Sequence, residues 1–322
     1  MLIDTHAHIT AKKFYEAIEA MPGVARRPDP YGVQLVRDGK VIVPLNETWF
    51  EPGHSLREMD QKKIDVRLVS LTTPSLYIFP AKDQAEIAKR VNDECIATCK
   101  AHADRMRALP SLPLGDVEAA LKELDRVASA PEVAGIAIGS SAGGVPLSDP
   151  RFEPVWARID ALRIPVVEHP MHPVFAAELQ DLNLSILIGF MFDTQLMLIR
   201  LIANGVFERY PNIPFVVAHT GAGILGVMHR LRGLHDRNPE GRKHMKKPFA
   251  EYLKGLYFDT CINDRMALTD AVEFLGPGRL MWGTDYPFVD LTTAPVDALD
   301  LSLQDKAAIT GGTAQKLFRI KG

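Results

Sequence analysis

Short runs of apolar, β-branched residues recur along the chain, and between them apolar positions fall at helical spacing. The runs are LIDTHAH near the N-terminus, VRLVSLTT (66–73), MRALPSLP (106–113), VAGIAIGS (133–140), IPVVEHP (164–170), IPFVVAH (213–219), LYFDTC (256–261) and LMWGTDYP (280–287). Most are nearly continuous rather than alternating, the pattern of strands covered on both faces. Between them, GDVEAALKELDRVASA offers Asp116 as an N-cap, Glu118 in the first turn and Leu121, Leu124 and Val127 on one stripe. DPRFEPVWARIDALR and TQLMLIRLIANGVFERYP space their apolar residues similarly. Eight strands alternating with helices predict an α/β chain folded as a (β/α)8 TIM barrel, one domain over residues 1–322. A doubly wound open sheet is the alternative, but no G-x-G-x-x-G turn follows the first or second strand.

Residues 22–56 depart from this rhythm. Within them VQLVRDGKVIVP reads as a hairpin turning at Asp38-Gly39. An insertion after the first strand sits on the C-terminal rim, where barrels keep their active sites. It is expected to be a lid or a substrate-shaping hairpin, with decoration or a dimer contact as the alternative.

Composition narrows the class of protein. Of 322 residues 47% are hydrophobic and 24% charged, with a formal net charge of -3, so nothing calls for a nucleic acid or a membrane surface as partner. Cys95, Cys99 and Cys261 cannot build a disulfide framework and complete no zinc-finger spacing. They are expected as small buried hydrophobes in a reducing compartment. The longest apolar run, ILIGFMF, falls far short of the roughly 20 residues that span a bilayer, and no secretory leader is visible. These features predict a soluble, cytoplasmic protein.

The chemistry gathers where strands end. His6 and His8, two apart, leave the first strand on one face. The fifth strand ends in Glu168-His169-Pro170, the sixth in His219 and the eighth in Asp285, while the seventh carries Asp259. In a barrel these ends converge. Three neutral imidazoles, His6, His8 and His169, with the Asp285 carboxylate make a shell for one divalent metal ion and leave room for water or substrate. Zn is expected, with Mn as alternative, and no organic cofactor. Glu168 precedes His169 and so points away, as a hydrogen-bonded or ion-paired carboxylate. His54, His102, His229, His235 and His244 fall in loops or helices, and His172 is offset from His169 by three. Phe288, Phe192, Trp49 and Phe50 are candidate pocket walls.

The motifs DTHAH, EHP, AHTGAG and GTDYP resemble the amidohydrolase superfamily, and more narrowly its metal-dependent decarboxylases related to aminocarboxymuconate semialdehyde decarboxylase. The similarity runs nearly end to end and includes LREMDQKKIDVRLVSLTTP and NGVFERYPNIPFVVAHTGAG. The resemblance implies that His6, His8, His169 and Asp285 bind one metal, with His219 as acid/base beside the open position. Two-metal members of the superfamily usually carry a carboxylated lysine at the end of strand four. Here that strand ends AIGSSAGG, without lysine.

Two departures stand out. Ser55 occupies the place of an arginine that grips a substrate carboxylate in the family, and Thr313 replaces a usual asparagine, whereas Arg57 matches the family at a structural helix start. Arg230 matches a second carboxylate-binding arginine that can come from a neighbouring subunit; an ordinary exposed arginine is the alternative.

The resemblance, taken with these site residues, implies non-oxidative decarboxylation of an aromatic or unsaturated, hydroxybenzoate-like carboxylic acid, with His219 or Asp285 delivering the proton, and Arg230, His172 and Phe288 contacting substrate. The alternative on the same shell is hydrolysis of an amide, ester or lactone by metal-activated water. A metal-stabilised binding protein is the non-catalytic reading. The family implies a homodimer.

Overall fold

The N-terminal apolar run forms β1 (Ile3–His8), every residue of it buried. The computed structural model describes residues 1–321 apart from Tyr31 and Gln180, and at His235 and Asp236 the backbone only. After β1 comes the insert, an antiparallel sheet of β2 (Val24–Asp29), β3 (Gly32–Arg37) and β4 (Lys40–Leu45). β3 and β4 turn at Asp38 and Gly39 as predicted, both with positive φ (51° and 75°), the conformation a two-residue hairpin turn requires. β2 is an addition: VARRPD carries no alternating pattern, and its place comes from its ladder with β3. Leu35, Val43 and Leu45 bury the inner face of the insert.

The chain returns with β5 (Val66–Ser70) and β6 (Met106–Leu109), then β7 (Ile136–Gly139) and a small hairpin of β8 (Ser141–Ala142) and β9 (Val145–Pro146). Next come β10 (Val166–His169), β11 (Phe215–Val217), β12 (Tyr257–Asp259) and β13 (Leu280–Met281). All eight predicted strands are present, each shorter than its apolar run. Ladders join β1-β5-β6 and β7-β10-β11-β12-β13, all parallel. Two seams complete the circuit. Ala108 bridges Val133 and Ser111 bridges Ala137, while Ala7 bridges Tyr286 and Thr5 N–H donates to Trp282 O at 3.0 Å. The strands therefore follow one another in chain order, as a TIM barrel demands.

Helices cover the outside. Asp116 caps Val117–Val127 by accepting from Ala119 N–H at 3.1 Å, and Leu124 and Val127 are buried beneath it, with Leu121 half-buried. The segment TQLMLIRLIANGVFERYP is two helices rather than one. Phe190–Ala203 stops and Val206–Arg209 restarts at Gly205, where φ is 72° and a Cβ would lie 2.6 Å from His244 O.

The apolar run ILIGFMF also extends further than its composition predicted. Residues Ser185–Ala203 form 19 helical residues with mean hydropathy 1.8, long and apolar enough by composition to cross a membrane. Its inner side is committed to the barrel: Asp193, Thr194, Leu198 and Leu201 are buried, and Thr194 Oγ1 donates to Glu168 at 2.8 Å. The opposite side stays uncovered, with Val174, Leu182 and Leu187 between 67% and 80% exposed nearby.

Inside the barrel lies one fully buried ion pair. Arg67 on β5 donates through Nε to Asp4 on β1 at 2.8 Å, and further to Ser55 at 2.8 Å and to Glu58. Its guanidinium also stacks 4.2 Å from the Tyr286 ring centroid. Asp4 in turn accepts from Thr284 N–H (3.0 Å) and Oγ1 (2.7 Å), tying β1 to the chain that follows β13. Removing one member leaves an uncompensated buried charge, which costs about 3–5 kcal/mol. Asp4→Ala is therefore expected to lose stability on that scale in urea unfolding; a loss under ~1 kcal/mol would show that the pair does not organise the barrel.

Candidate metal centre

Parallel strands point their C-terminal ends to one rim, and the predicted residues meet there. Rings of His6 and His8 lie 5.3 Å apart between centroids, His6 and His169 5.2 Å, and His8 and His169 4.6 Å. Asp285 Oδ1 lies 3.1 Å from His8 Nε2 and 3.5 Å from His6 Nε2. One donor atom from each of His6, His8, His169 and Asp285 falls within 4.8 Å of the others. His219 closes the far side, its ring 5.1 Å from that of His6 and its Nε2 3.7 Å from Asp285 Oδ2.

Local backbone sets each group. Asp285 stands past the end of β13 in the left-handed region (φ 57°), anchored by its N–H to His6 O at 2.7 Å. The turn AHTGAG holds His219, Thr220, Gly221, Ala222 and Gly223 all at positive φ. Such conformations cost of order 1–3 kcal/mol for a non-glycine residue and persist where surroundings over-determine them. Thr220 Oγ1 pins this turn to Asp259 O at 2.9 Å.

The donor set fits a cation. Each of the three imidazoles spends Nδ1 outward: His6 on Asp259 (2.6 Å), His8 on Ser70 Oγ (3.2 Å), His169 on Pro170 O (2.9 Å). That leaves Nε2 facing inward, the arrangement by which outer partners orient metal-binding histidines. His6 Nε2 is buried without a hydrogen-bond partner among the described residues. Burial holds His8 and His169 below the usual histidine range, and for His169 the neighbouring imidazoles push the same way. Burial also raises carboxyl pKa values, yet hydrogen bonds from His219 and His8 keep Asp285 well below the usual range, so it stays an anion. For His6 burial lowers the pKa, but Asp259 and Asp285 override it and lift the value to about 9.

Glu168 behaves as the strand pattern expected. It is buried on the far face of β10, accepting from Thr194 Oγ1 and from Ala218 N–H at 3.1 Å, and burial raises it to about 7. A second ion has no anchor on β7: a side chain on Gly139 would put Cβ 2.7 Å from Met171 Cγ, and Ser140 is bonded to Asp193.

The other candidates divide. Phe288 flanks the cluster, its ring 5.8 Å from His8, and Trp49 of the insert packs on Phe288 at 5.6 Å. Phe50 instead packs on Tyr15 at 5.4 Å. His172 is exposed and bonds Ser185 Oγ at 2.9 Å; it touches Phe190, which packs against His169, so it stands on the outer rim. Phe192 is half exposed and faces Phe175. Arg230 is exposed on Met228–Asp236, in a surface cleft with His229, Arg232 and Arg237. Ser55 is buried under Arg67, Arg57 lies in the helix Pro52–Lys62, and Thr313 is buried at a helix start. All three cysteines are buried and free. Among the remaining histidines, His54 bonds Tyr286 Oη at 2.6 Å, and the His235 side chain lies outside the described residues.

Three supporting residues carried no role in the sequence reading: Ser70 and Thr73, which contact the outer nitrogens of His8 and His169, and Arg67. Asp4 was partly legible, since it alternates with His6 and His8 on β1 and shares their face.

Residues 3–320 match the amidohydrolase family model. The chain is 29% identical over 288 residues to a gamma-resorcylate decarboxylase of Rhodococcus jostii, covering 82% of this chain and 86% of that protein. It is 27% identical to a 2-amino-3-carboxymuconate-6-semialdehyde decarboxylase of Dictyostelium discoideum, covering 79% and 72%. The crystal structure of 5-carboxyvanillate decarboxylase from Sphingomonas paucimobilis superposes with a TM-score of 0.86 at 26% identity, over 99% of both chains. With its barrel, its His-x-His strand end and its aspartate beyond the last strand, this chain belongs to the amidohydrolase family.

Proposed function

We propose that this chain is a metal-dependent, non-oxidative decarboxylase acting on a hydroxybenzoate-like aromatic acid. The observation that carries the reading is the pairing of His219 with Asp285 beside a ligand set of three imidazoles and one carboxylate. The similarity to decarboxylases of aromatic and unsaturated acids supports it. His6, His8, His169 and Asp285 would hold the ion; zinc suits imidazole-rich sites, with manganese as the alternative. A bound divalent cation supplies Lewis-acid charge for the substrate carboxylate and an adjacent oxygen.

The protein's own groups do the rest. His219 Nε2 faces Asp285, while its Nδ1 is buried and unclaimed among the described residues. This pair is placed to hold one proton and pass it to the ring carbon that bears the carboxylate. The carbon–carboxylate bond then breaks, its electron pair returns to the ring, and CO2 leaves. Solvent restores the proton. Histidine suits the task because its ordinary pKa lies near 6.5. Phe288 and Trp49 supply an aromatic wall on the insert's side.

Ser55 bears on the choice of substrate. Where relatives place a carboxylate-gripping arginine, Ser55 contacts Arg67, whose charge Asp4 and Glu58 already balance. The substrate therefore has no second carboxylate at that end. A homodimer is supported by the uncovered apolar side chains around 174–192. The three reduced, buried thiols suit the cytoplasm.

Two experiments follow. Elemental analysis of purified, reconstituted protein should find about one zinc or manganese per chain, and His8→Ala and His169→Ala should each lose it; full metal content in either variant contradicts the ligand set. With a carboxyl-labelled dihydroxybenzoate in deuterated water, the enzyme should release labelled CO2 and leave deuterium on the ring carbon. His219→Ala should retain the metal and lower kcat by roughly 10²–10⁴-fold. Bound metal with a new acid formed from an ester or amide, and no CO2 from any aromatic acid, would establish hydrolysis instead.

A further inference from the structure

We infer that Asp259, at the end of β12, is a positioning residue that fixes the His6 imidazole with Nδ1 protonated and Nε2 aimed at the ion. The inference rests on the metal-centre reading above and extends it to a residue that binds no ion itself. His6 Nδ1 and Asp259 Oδ2 lie 2.6 Å apart, and both side chains are almost fully buried. The other ring nitrogen, Nε2, has no hydrogen-bond partner among the described residues and faces the cluster.

The carboxylate is doubly committed. Its Oδ1 accepts the Cys261 N–H at 2.9 Å while Oδ2 takes His6. Two donors, at opposite ends of one side chain, require two acceptor oxygens. Aspartate has both, whereas asparagine of the same size has one acceptor and one donor. Neither orientation of an asparagine amide satisfies both neighbours, so it must present an N–H to His6 or to Cys261. Facing His6, that amide favours the tautomer in which Nδ1 accepts and Nε2 carries the proton, which blocks the ligand atom.

The contact is built into the backbone. Asp259 pairs with Met281 of β13 in register, and the chain beyond β13 passes between β1 and β12 at Gly283. A Cβ there would come within 2.7 Å of His6 Cβ and 2.9 Å of Cys261 Sγ. The glycine lets the His6 and Asp259 strands close on each other. One donor atom each of His6, Asp259 and Cys261 also lies within 4.8 Å of the others, a second group with the composition of a metal site. A histidine–carboxylate separation of 2.6 Å is a charge-assisted hydrogen bond, with no room for an ion between the two.

The test is zinc affinity by chelator competition in wild type, D259N, His6→Ala and the double variant, with the thermal unfolding of each zinc-free form recorded. Outer-sphere partners of metal-binding histidines are worth roughly 10–100-fold in affinity. D259N is expected to weaken zinc binding by that factor and to add nothing in the His6→Ala background, while its zinc-free thermal midpoint falls by no more than one unsatisfied buried donor costs. Imidazole nitrogen NMR of zinc-loaded wild type, which needs no variant, should show His6 protonated at Nδ1 and zinc-bound at Nε2. Wild-type affinity in D259N, or His6 bound through Nδ1, overturns this inference alone. A wild type that takes up no zinc overturns the metal-centre reading and this inference with it.

Discussion

A carboxylate held as an anion among buried imidazoles, itself only partly open to water, is the arrangement on which the rest of this molecule depends. Asp285 sits within hydrogen-bonding or ion-pairing reach of His6, His8 and His219. Its backbone is in the left-handed region and its N–H is tied to His6 O. Burying ionisable groups this densely is unfavourable unless they are paired or bind a cation. Here His8 and His169 are driven towards neutrality while Asp285 stays charged. A divalent ion bound here displaces the proton that Asp259 and Asp285 hold on His6, whose pKa they lift, against its burial, to about 9.

The scaffold spends much of its polar chemistry on keeping those groups in place. Asp4 and Arg67 pair beneath the site, and Thr284 joins Asp4 to the chain carrying Asp285. Arg67 also stacks on Tyr286, whose hydroxyl meets His54 in the helix Pro52–Lys62. The same guanidinium that braces β1 against β5 thus braces the loop of the carboxylate ligand, so barrel stability and ligand geometry share one buried cation. Outer partners on β5, just past β10 and on β12 then set the imidazole orientations one by one.

Much of this was legible in the sequence because strand ends are read by period and position. Continuous apolar runs located all eight barrel strands, and among the residues closing them are His6, His8, His169 and Asp285, whose donor atoms the fold brings within 4.8 Å of one another, with His219 beside them. The Asp38-Gly39 turn was legible because a two-residue turn demands positive φ. What escaped was non-local. β2 has no pattern of its own and owes its existence to its neighbour. The Arg67 network joins residues from positions 4, 55, 58 and 67, and no spacing rule connects them. The inner helix run Ser185–Ala203 was read as a short apolar stretch because Asp193, Thr194 and Gln195 interrupt it; the fold buries Asp193 and Thr194 against the barrel. His172 and Arg230 share the site's sequence neighbourhood, yet the fold leaves both exposed.

The most direct test of the metal centre is X-ray absorption fine structure of the zinc-loaded protein. The account predicts nitrogen and oxygen scatterers at about 2.0–2.2 Å, with the multiple-scattering signature of three imidazoles. A sulfur scatterer at about 2.3 Å would place the ion with Cys261 instead and contradict the ligand set of His6, His8, His169 and Asp285.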